Sequence, residues 1–327
     1  MPPSVHLCFS LCTLESLAYN QRVFEPFKGP IDAGTRYCAV YGHPVRHSAS
    51  PAMQNAGIAA LGLNWRYLAF EVPPDNLRSA IEGARMMNFI GLNLTVPHKL
   101  LAVEMVDTLD GSAKLWGAVN TIRFEAKDQR GEWRPLREFT DVPSGTRAHG
   151  FNTDADAIGR ALREDLGMDP AGKSALLLGA GGAGRTAALK LAAEGVAELY
   201  LVNRTRPKAE AVAKEIQTNC PSVKVTVGYP PGRVDLLLNA TSLGLKAGDP
   251  SPLEEEKFRI QDVAAVYDMI YRPAETELLK RAKSAGCRIA NGLSMLLYQG
   301  AKALEIWTGR PAPVQIMREA LEKNVYG

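Results

Sequence analysis

The sequence has few cysteines, little net charge and no long apolar run, and each of these shortages excludes a class of protein. Five cysteines in 327 residues, an odd number without a C-x-x-C pair, argue against a disulfide framework or a zinc site and favour a reducing compartment. A net charge of +3 is too small to favour nucleic acid or an anionic membrane as a partner. No apolar run could span a bilayer, and the first residues lack the basic start and cleavage pattern of a signal peptide. We therefore expect a cytoplasmic protein that binds a small molecule, with no nucleic-acid, membrane or metal partner.

The strongest motif is a glycine-rich turn between a predicted strand and a predicted helix. Gly179, Gly181 and Gly184 have the G-x-G-x-x-G spacing. The apolar run 175–178 precedes them, and a second strand, 199–202, follows the helix. Glycine permits the tight turn and lets backbone N–H groups approach a pyrophosphate at the helix N-terminus. An isolated glycine pattern would indicate only an ordinary turn, but the order strand, turn, helix, strand favours a dinucleotide-binding site.

The end of the second strand indicates which dinucleotide is bound. NAD sites usually carry Asp or Glu there to hold the ribose 2′-OH, whereas this sequence has Asn203, Arg204 and Thr205, followed by Lys208. The planar guanidinium of Arg204 can bind a 2′-phosphate, and Thr205 can donate its hydroxyl to it. A solvated basic turn is the alternative, but it does not explain the missing acid. The sequence therefore predicts NADP as the cofactor.

Strands and helices alternate along the chain, which predicts a mainly parallel sheet with helices on both faces. A length of 327 residues suffices for two domains that share a cleft. We divide the chain into an N-terminal extension, 1–35, a first α/β domain, 36–153, a doubly wound nucleotide domain, 154–289, and C-terminal helices, 290–327. The charged, turn-rich stretch 127–149 is predicted to be an inserted hairpin or loop on the surface, outside the site.

Nine short motifs follow one another in a fixed order from about residue 37 to the C-terminus. They are His47-Ser48-Ala49-Ser50-Pro51, Asn93-Leu94-Thr95-Val96-Pro97-His98-Lys99, Gly117-Ala118-Val119-Asn120-Thr121, Asn152-Thr153-Asp154, Gly179-Ala180-Gly181-Gly182-Ala183, Asn203-Arg204-Thr205, Asn239-Ala240-Thr241-Ser242, Tyr267-Asp268-Met269-Ile270-Tyr271 and Gly292-Leu293-Ser294-Met295-Leu296-Leu297-Tyr298-Gln299. The series resembles the shikimate dehydrogenase family. The resemblance implies a substrate-binding α/β domain, a Rossmann NADP-binding domain and C-terminal helices that return to the first domain. It also implies reversible, NADPH-dependent reduction of 3-dehydroshikimate to shikimate, a step toward chorismate and the aromatic amino acids.

Lys99 and Asp154 are the candidate catalytic residues. Oxidation of a secondary alcohol removes a hydride from carbon and a proton from oxygen, and a positioned lysine can accept that proton and stabilise a developing alkoxide. Lys99 follows a predicted strand end, where open α/β sheets bind ligands, although a solvated lysine in a first helical turn is the ordinary alternative. An acid at the start of a helix, with Thr153 as a candidate N-cap, equally explains Asp154. The resemblance implies that Asp154 orients Lys99.

The resemblance also implies which residues contact the substrate and the cofactor. Short polar side chains suit a polyhydroxylated acid, and the substrate residues would be Ser48, Ser50, Asn93, Thr95, Asn120, Tyr271 and Gln299. The structural alternatives are helix capping by Ser50, a polar pair at a sheet edge for Asn93 and Thr95, and a polar position on a core helix for Gln299. The cofactor residues would be Gly179, Ala180, Gly181, Gly182, Ala183, Gly184, Asn203, Arg204, Thr205, Lys208, Thr241, Ser242, Met269, Gly292 and Met295.

Two other functions fit parts of the sequence. The first is a quinate dehydrogenase or a dual quinate/shikimate dehydrogenase. The resemblance weighs slightly against it, because quinate users more typically have threonine where this chain has Ser50, and because Arg204 favours NADP. The second is a non-catalytic metabolite sensor on the same scaffold, which should have lost Lys99 or Asp154. The expected assembly is a monomer or a homodimer.

Overall fold

The computed structural model describes residues 31–246 and 248–327. Most of the predicted N-terminal extension, residues 1–30, lies outside the described residues. The strands are β1 (Arg36–Gly42), β2 (Trp65–Glu71), β3 (Gly91–Leu94), β4 (Thr108–Leu109), β5 (Thr121–Lys127), β6 (Trp133–Pro135), β7 (Thr146–Phe151), β8 (Ser174–Leu178), β9 (Glu198–Val202), β10 (Lys224–Val227), β11 (Val234–Asn239), β12 (Val263–Asp268) and β13 (Arg288–Asn291). The helices are α1 (Ser50–Ala60), α2 (Leu77–Met86), α3 (His98–Leu101), α4 (Gly111–Trp116), α5 (Asp154–Leu166), α6 (Gly182–Ala193), α7 (Arg206–Asn219), α8 (Glu277–Ser284), α9 (Leu293–Thr308) and α10 (Val314–Tyr326).

The first sheet is mixed rather than mainly parallel. Its strand order is β2-β1-β3-β5-β7-β4, with β6 paired to β5. Strand β1 is parallel to β2 and β3, and β4 is parallel to β7, but β5 is antiparallel to β3, β6 and β7. Parallel neighbours need a long crossover connection, usually a helix, whereas β5, β6 and β7 follow one another without an α-helix in the described stretch 121–151. The prediction of a mainly parallel sheet is therefore wrong for this half of the molecule.

The second sheet is entirely parallel. Its strand order is β10-β9-β8-β11-β12-β13, and every pairing between neighbours is parallel. Numbered in order of appearance, this is 3-2-1-4-5-6, the arrangement of doubly wound dinucleotide-binding folds. Such folds bind ligands beyond the carboxyl ends of the strands, at the point where the strand order reverses. Here that point lies beside β8, directly before the glycine-rich turn, and the predicted Rossmann fold is confirmed.

Helices α9 and α10 pack on the first half of the molecule, although they follow the second sheet in the chain. A Cβ on Gly57 of α1 would lie 2.8 Å from Leu304 and 3.0 Å from Met317, so the absence of a side chain there allows close helix packing. Trp307 of α9 is fully buried, and its indole N–H donates to the carbonyl of Ile122 in β5 at 2.9 Å. The predicted return of the C-terminal helices is confirmed.

Helix α5 connects the two sheets and packs against α6 and α9. Near its C-terminal end, Tyr298 of α9 donates a hydrogen bond to Glu164, and Ser294 donates to Asp165 at 2.9 Å. Arg318 of α10 donates in turn to the Tyr298 hydroxyl at 2.6 Å. These contacts fix α5 against the C-terminal helices.

The inserted stretch 127–149 contains the predicted hairpin, since β6 pairs with β5 in antiparallel register. It is packed more firmly than a surface excursion, however. The Leu136 side chain is 0% exposed, and Arg137 donates to the carbonyl of Trp307 at 3.1 Å. Arg36 of β1 also donates to the carbonyl of Leu136 at 3.2 Å. Leu136 is thus an apolar anchor within a highly charged stretch, and a periodicity analysis does not detect a single buried residue of this kind.

Three further properties concern the described part of the chain. Cys38, Cys220 and Cys287 form no disulfide there. No group of three or more His, Cys, Asp and Glu side chains in those residues could hold a metal ion. None of the helices described is both long enough and apolar enough to cross a bilayer.

Candidate functional site

A cavity of about 380 Å³ lies between the two halves of the molecule. Its walls are the carboxyl ends of β1 and β3, the segment after β12, and the first turns of α5, α6 and α9. The predicted site residues that line it are Ser48, Ser50, Asn93, Thr95, Lys99, Asp154, Ala183, Met269, Tyr271, Gly292, Met295 and Gln299. The fold thus brings together residues that are up to 251 positions apart in the chain, counted from Ser48 to Gln299.

Lys99 and Asp154 face each other in this cavity. The Lys99 Nζ donates to Asp154 Oδ2 at 2.7 Å. The Asp154 side chain is 7% exposed and that of Lys99 is 26% exposed, so the carboxylate lies inside the protein while the ammonium remains accessible to a ligand. Lys99 lies in α3, shortly after β3, and Asp154 is the first residue of α5. The pair can therefore hold and transfer a proton at the cavity surface.

Asn120 holds the Asp154 carboxylate in place through hydrogen bonds. Its Nδ2 donates to Asp154 Oδ1 at 2.9 Å and to the Thr153 hydroxyl at 2.9 Å. Its Oδ1 accepts the backbone N–H of Thr153 at 2.8 Å. Asn120 is 1% exposed and is not among the residues that line the cavity. In this structure it acts on the cavity by holding Asp154.

Helix α5 is capped by Asn152, although Thr153 was the predicted cap. The Asn152 Oδ1 accepts the backbone N–H groups of Asp154 and Ala155 at 3.1 and 3.3 Å. Thr153 precedes the helix, but its side chain makes no capping hydrogen bond; its hydroxyl accepts from Asn120 instead. Capping by Asn152 sets where α5 begins and hence where the Asp154 carboxylate lies.

Asn93 is oriented by three hydrogen bonds. The buried Tyr67 hydroxyl donates to Asn93 Oδ1 at 2.7 Å. The Asn93 Nδ2 donates to the carbonyl of Asn120 at 3.2 Å and to the Thr121 hydroxyl at 3.0 Å. Both amide hydrogens are therefore used, and the capacity that remains is for acceptance at Oδ1. The Asn93 side chain can therefore accept a hydrogen bond from a ligand hydroxyl. Thr95, the residue directly after β3, lines the cavity beside it.

Ser48 and Ser50 enter the cavity from the loop after β1 and the start of α1. The backbone N–H of Ser50 donates to the Ser48 hydroxyl oxygen at 3.3 Å. The residue directly before α1, Ala49, makes no side-chain capping bond, and the first turn contains Pro51. The helix-capping alternative for Ser50 is therefore not observed.

Tyr271 and Gln299 come from the second sheet and from α9. Burial raises the pKa of the Tyr271 phenol, which therefore stays protonated at neutral pH and can donate a hydrogen bond. The Gln299 Nε2 donates to the carbonyl of Leu296 at 2.8 Å within α9. Both residues line the cavity.

The glycine-rich turn has the shape required to bind a dinucleotide. Gly179 has φ of +102°, a conformation that favours glycine. A Cβ on Gly184 would overlap the Gly179 carbonyl oxygen, so this glycine allows α6 to approach β8. A Cβ on Gly181 or Gly182 would meet nothing within 4 Å. Open space thus lies in front of the α6 N-terminus, where an anionic pyrophosphate would be stabilised.

Asn203 joins this turn to the segment after β9. Its Oδ1 accepts the backbone N–H of Ala180 at 2.9 Å, and its Nδ2 donates to the carbonyl of Thr205 at 2.8 Å. The side chain therefore bridges two backbone segments. This bracing role was not part of the sequence prediction, which placed Asn203 only as a cofactor contact.

Arg204 is an exposed cation without a partner among the described residues. The neighbouring Arg206, by contrast, is paired with Glu210 at 2.8 Å. Lys208 is also exposed and unpaired within the described residues. Arg204 and Lys208 can therefore bind an anion beyond β9 without first breaking an ion pair.

The remaining predicted cofactor residues lie along the carboxyl ends of the second sheet, outside the cavity. They are Gly179, Ala180, Gly181, Gly182, Gly184, Asn203, Arg204, Thr205, Lys208, Thr241 and Ser242. They follow β8, β9 and β11, which are adjacent in the sheet. Ala183, Met269, Gly292 and Met295 lie in the cavity itself, so the two sets form one path from the edge of the sheet to the Lys99–Asp154 pair.

Several cavity residues were not predicted. They are Val40, Pro44, Val45, His47, Leu94 and Leu296. Most are apolar. His47, Leu94 and Leu296 lie inside the quoted motifs, and Pro44 and Val45 lie just before one, but no signal in the sequence marked Val40. Tyr67 and Asn152 act one contact further away, and their partners could be identified only from the folded chain.

Comparison with known proteins gave three matches to family models. Residues 40–122 match the shikimate dehydrogenase substrate binding domain. Residues 162–227 match the shikimate/quinate 5-dehydrogenase family, and residues 292–322 match the shikimate 5′-dehydrogenase C-terminal domain. The matched segments include the end of β1, β3, the glycine turn and the start of α9, whereas Asp154, Met269 and Tyr271 of the cavity lie between them.

Full-length relatives agree with these matches. The shikimate dehydrogenase (NADP(+)) of Methanopyrus kandleri is 41% identical over 302 residues, covering 90% of this chain and 98% of the relative. The crystal structure of Thermus thermophilus shikimate 5-dehydrogenase in complex with NADP(H) and shikimate has a TM-score of 0.73 at 36% identity, covering 88% of this chain and 99% of that one. The quinate dehydrogenase of Corynebacterium glutamicum in complex with NAD has a TM-score of 0.74 at 27% identity, covering 88% and 99%.

Proposed function

Since the chain belongs to the shikimate dehydrogenase family, we propose that it interconverts shikimate and 3-dehydroshikimate with NADP as cofactor, in the biosynthesis of chorismate and the aromatic amino acids. The observation that carries this proposal is the Lys99–Asp154 pair, with Nζ and Oδ2 2.7 Å apart, inside a cavity lined by short polar side chains. The two residues that a sensor would have lost are present and in contact.

The polar cavity residues bind the substrate. Ser48, Ser50 and Tyr271 supply hydroxyl groups that can donate to the substrate carboxylate. The ring hydroxyls are assigned to Asn93, Thr95, Asp154 and Gln299. Asn120, the remaining predicted substrate residue, contributes through Asp154. Because several of these side chains are already held by hydrogen bonds, the cavity loses little conformational entropy when it binds its ligand.

Lys99 is the general acid and base of the reaction. In the reducing direction its ammonium gives a proton to the carbonyl oxygen of 3-dehydroshikimate, and in the oxidising direction its neutral amine takes that proton from the hydroxyl of shikimate. Asp154 holds the Nζ in place, and the positive charge stabilises the developing alkoxide. Bound NADPH supplies the hydride that the carbonyl carbon accepts.

The glycine turn and the segment after β9 fit NADP. Open space beyond Gly181 and Gly182 accommodates the pyrophosphate, and the unpaired Arg204 and Lys208 suit the 2′-phosphate. Thr205, Thr241 and Ser242 are proposed as further contacts along the same edge. Met269, Gly292 and Met295 would border the nicotinamide, since they share the cavity with Lys99.

The assignment extends to organisation and location. Residues 36–153 would form the substrate-binding domain, 154–289 the NADP-binding domain, and 290–327 the helices that complete the first. We place the enzyme in the cytoplasm, because its scattered cysteines suit a reducing compartment. A monomer or a homodimer is the expected assembly.

Quinate dehydrogenase is the second candidate, because the structure resembles one from Corynebacterium glutamicum. Quinate carries an extra hydroxyl on the carbon that bears the carboxylate, the end of the substrate assigned to Ser48 and Ser50. Serine at position 50 and the unpaired Arg204 favour shikimate and NADP.

The test is a set of four assays that measure the reduction of NADP or NAD with shikimate or quinate. The highest kcat/KM is expected for NADP with shikimate. A higher kcat/KM with quinate would move the assignment to the second candidate. No reduction with either substrate, by protein shown to be folded and to bind NADP, would contradict a dehydrogenase function and favour a sensor.

A further inference from the structure

Asp268 is a completely buried acid that the proton chemistry does not use. It is the last residue of β12 and is 0% exposed. Its partners are three donors: Asn239 Nδ2 at 2.9 Å, the Ile270 N–H at 3.1 Å and the Thr276 hydroxyl at 2.6 Å. None of these is a cation, so burial raises the pKa of Asp268.

The bonds continue from Asp268 into the segment after β11. Asn239 is the last residue of β11 and pairs with Asp268 in register. Because its Nδ2 donates to Asp268, its Oδ1 faces the other way and accepts the backbone N–H and the hydroxyl of Thr241 at 3.0 and 2.8 Å. The Thr241 hydroxyl oxygen accepts in turn from the N–H of Leu243 at 3.1 Å. Asp268 thereby helps to set which way the Asn239 amide points, together with the Leu243 carbonyl, which accepts from the same Nδ2 at 3.4 Å. This amide shapes the segment 240–243.

Asp268 also shapes the wall of the cavity. It accepts the Ile270 N–H directly, and the N–H of Met269, between the two, donates to the carbonyl of Asn239 at 2.9 Å. A Cβ on Gly292 would overlap the Met269 carbonyl oxygen, so the start of α9 packs directly on this backbone. Met269 and Gly292 both line the cavity. One carboxyl group therefore fixes two backbone segments at two ends of the proposed cofactor path.

A buried acid of this kind is not explained by stability. Burial of a carboxylate without a cation is costly, and apolar residues of similar size usually stabilise such a position at least as well. What an acid provides is acceptance on both oxygens, which forces each of its three neighbours to act as a donor. Asparagine cannot do this, because one of its two terminal atoms is itself a donor.

We propose that Asp268 is a positioning residue for NADP: through Asn239 it orients the Thr241 segment, and through Ile270 it orients the Met269 backbone beside the nicotinamide. The proposal rests on the proposed function for the identity of the cofactor. Asp268 itself touches neither cofactor nor substrate.

The test compares Asp268→Asn with Asp235→Asn. Asp235 is the matched control, because it lies on β11 and accepts both the N–H and the hydroxyl of Ser174 at 2.9 Å, near the opposite end of that strand. Loss of correct positioning in Asp268→Asn should raise the Kd and KM for NADP about 10- to 100-fold, with less than a threefold change in KM for shikimate. Asp235→Asn should leave both constants unchanged. An unchanged Kd for NADP in folded Asp268→Asn would overturn the proposal.

A double-mutant cycle separates positioning from general loosening. If Asp268 acts through Thr241, the effects of Asp268→Asn and Thr241→Val on the Kd for NADP should be non-additive. Additive effects would overturn the relay. If Asp268→Asn does not fold, Thr276→Val decides, because it removes one donor to Asp268. It should raise the Kd for NADP, and a lower Tm with an unchanged Kd would contradict the proposal.

Direct NADP binding keeps this test distinct from that of the proposed function. Wild-type protein that binds NADP but oxidises no shikimate would refute the proposed substrate. The Kd comparison between Asp268→Asn and Asp235→Asn would still decide the role of Asp268.

Discussion

At the scale of single residues, the Lys99 ammonium is the group on which turnover should depend most. A general acid/base typically contributes about 10²- to 10⁴-fold in rate. Lys99→Ala should therefore lower kcat for shikimate oxidation by about that factor, with a modest change in KM. Asp154→Asn should also lower kcat, since it removes the charge that holds the Nζ, and the two effects should be non-additive. Steady-state kinetics of both single variants and the double variant measure this.

Lys114→Ala is the control for that experiment, because Lys114 is an exposed lysine on α4 that does not line the cavity. It should retain wild-type kcat. Turnover by folded Lys99→Ala near the wild-type rate would refute the assignment, and the proton would then have to move through water or another side chain.

Arg204 should determine the choice between NADP and NAD. Loss of a charge-assisted hydrogen bond costs about 1.5–3 kcal/mol, so Arg204→Ala should raise the KM for NADP roughly 10- to 150-fold. The KM for NAD should stay nearly the same, because NAD lacks the 2′-phosphate. Arg206→Ala is the matched control, since Arg206 is already paired with Glu210. Equal losses for both cofactors in Arg204→Ala would contradict the assignment.

Residues whose chemistry is local could be located from the sequence. Lys99 and Asp154 follow or precede recognisable elements, and the glycines of the turn have a spacing with a direct steric reason. The residue that caps α5 was harder to identify from the sequence, because both Asn152 and Thr153 can cap a helix. In the folded chain Asn152 caps the helix, while the Thr153 hydroxyl bonds to Asn120, more than thirty positions away. Hydrogen-bond assignments of this kind require the folded chain.

At the scale of elements, the inserted stretch 127–149 should matter for stability and not for catalysis. None of its residues lines the cavity, but Leu136 is fully buried. Leu136→Ala should therefore lower the free energy of unfolding by about 2–5 kcal/mol and leave kcat and KM unchanged. Denaturant unfolding and steady-state assays measure the two quantities.

Leu115→Ala is the comparison variant, because Leu115 is 63% exposed and should cost little stability. A drop in kcat for folded Leu136→Ala would show that the insertion shapes the cleft. An unfolding free energy equal to that of wild type would instead show that Leu136 is not an anchor.

The antiparallel direction of β5 could not be predicted from the order of strands and helices alone. Alternation of strands and helices correctly indicated the parallel second sheet, because a crossover segment connects each of its strands to the next one in the chain. It failed for β5, β6 and β7, where the chain turns back through a hairpin. The short elements β4, α4 and β13 were missed as well, since runs of two to six residues carry no clear period.

At the scale of the whole molecule, resistance to acid should depend on Glu125. This side chain is 1% exposed. Burial alone would raise the pKa of Glu125, but hydrogen bonds from His149, Arg123 and Arg147 outweigh that effect and lower it from 4.5 to about 2. A lowered folded-state pKa stabilises the protein above the unfolded value, and this stabilisation is lost as the pH falls from about 4.5 toward about 2.

The expected loss over that range is ~3 kcal/mol of unfolding free energy, measured by urea unfolding at a series of pH values. Glu125→Gln should be less stable near neutral pH and should lack this part of the acid dependence. Glu132→Gln, at an exposed position in the insertion that follows β5, should follow wild type. Parallel pH curves for wild type and Glu125→Gln would contradict the role of Glu125.

The fixed contacts at both ends of helix α5 limit where residues can be inserted into the chain or deleted from it. Its first residue is Asp154, and near its last turn Glu164 and Asp165 bond to Tyr298 and Ser294 of α9. One residue added inside the helix would rotate everything beyond it by about 100°, so the carboxylate at one end and the anchors at the other could not both keep their partners. Insertions and deletions should therefore be tolerated in the turns of 127–149 but not in α5, whose number of residues is set by the distance that it spans.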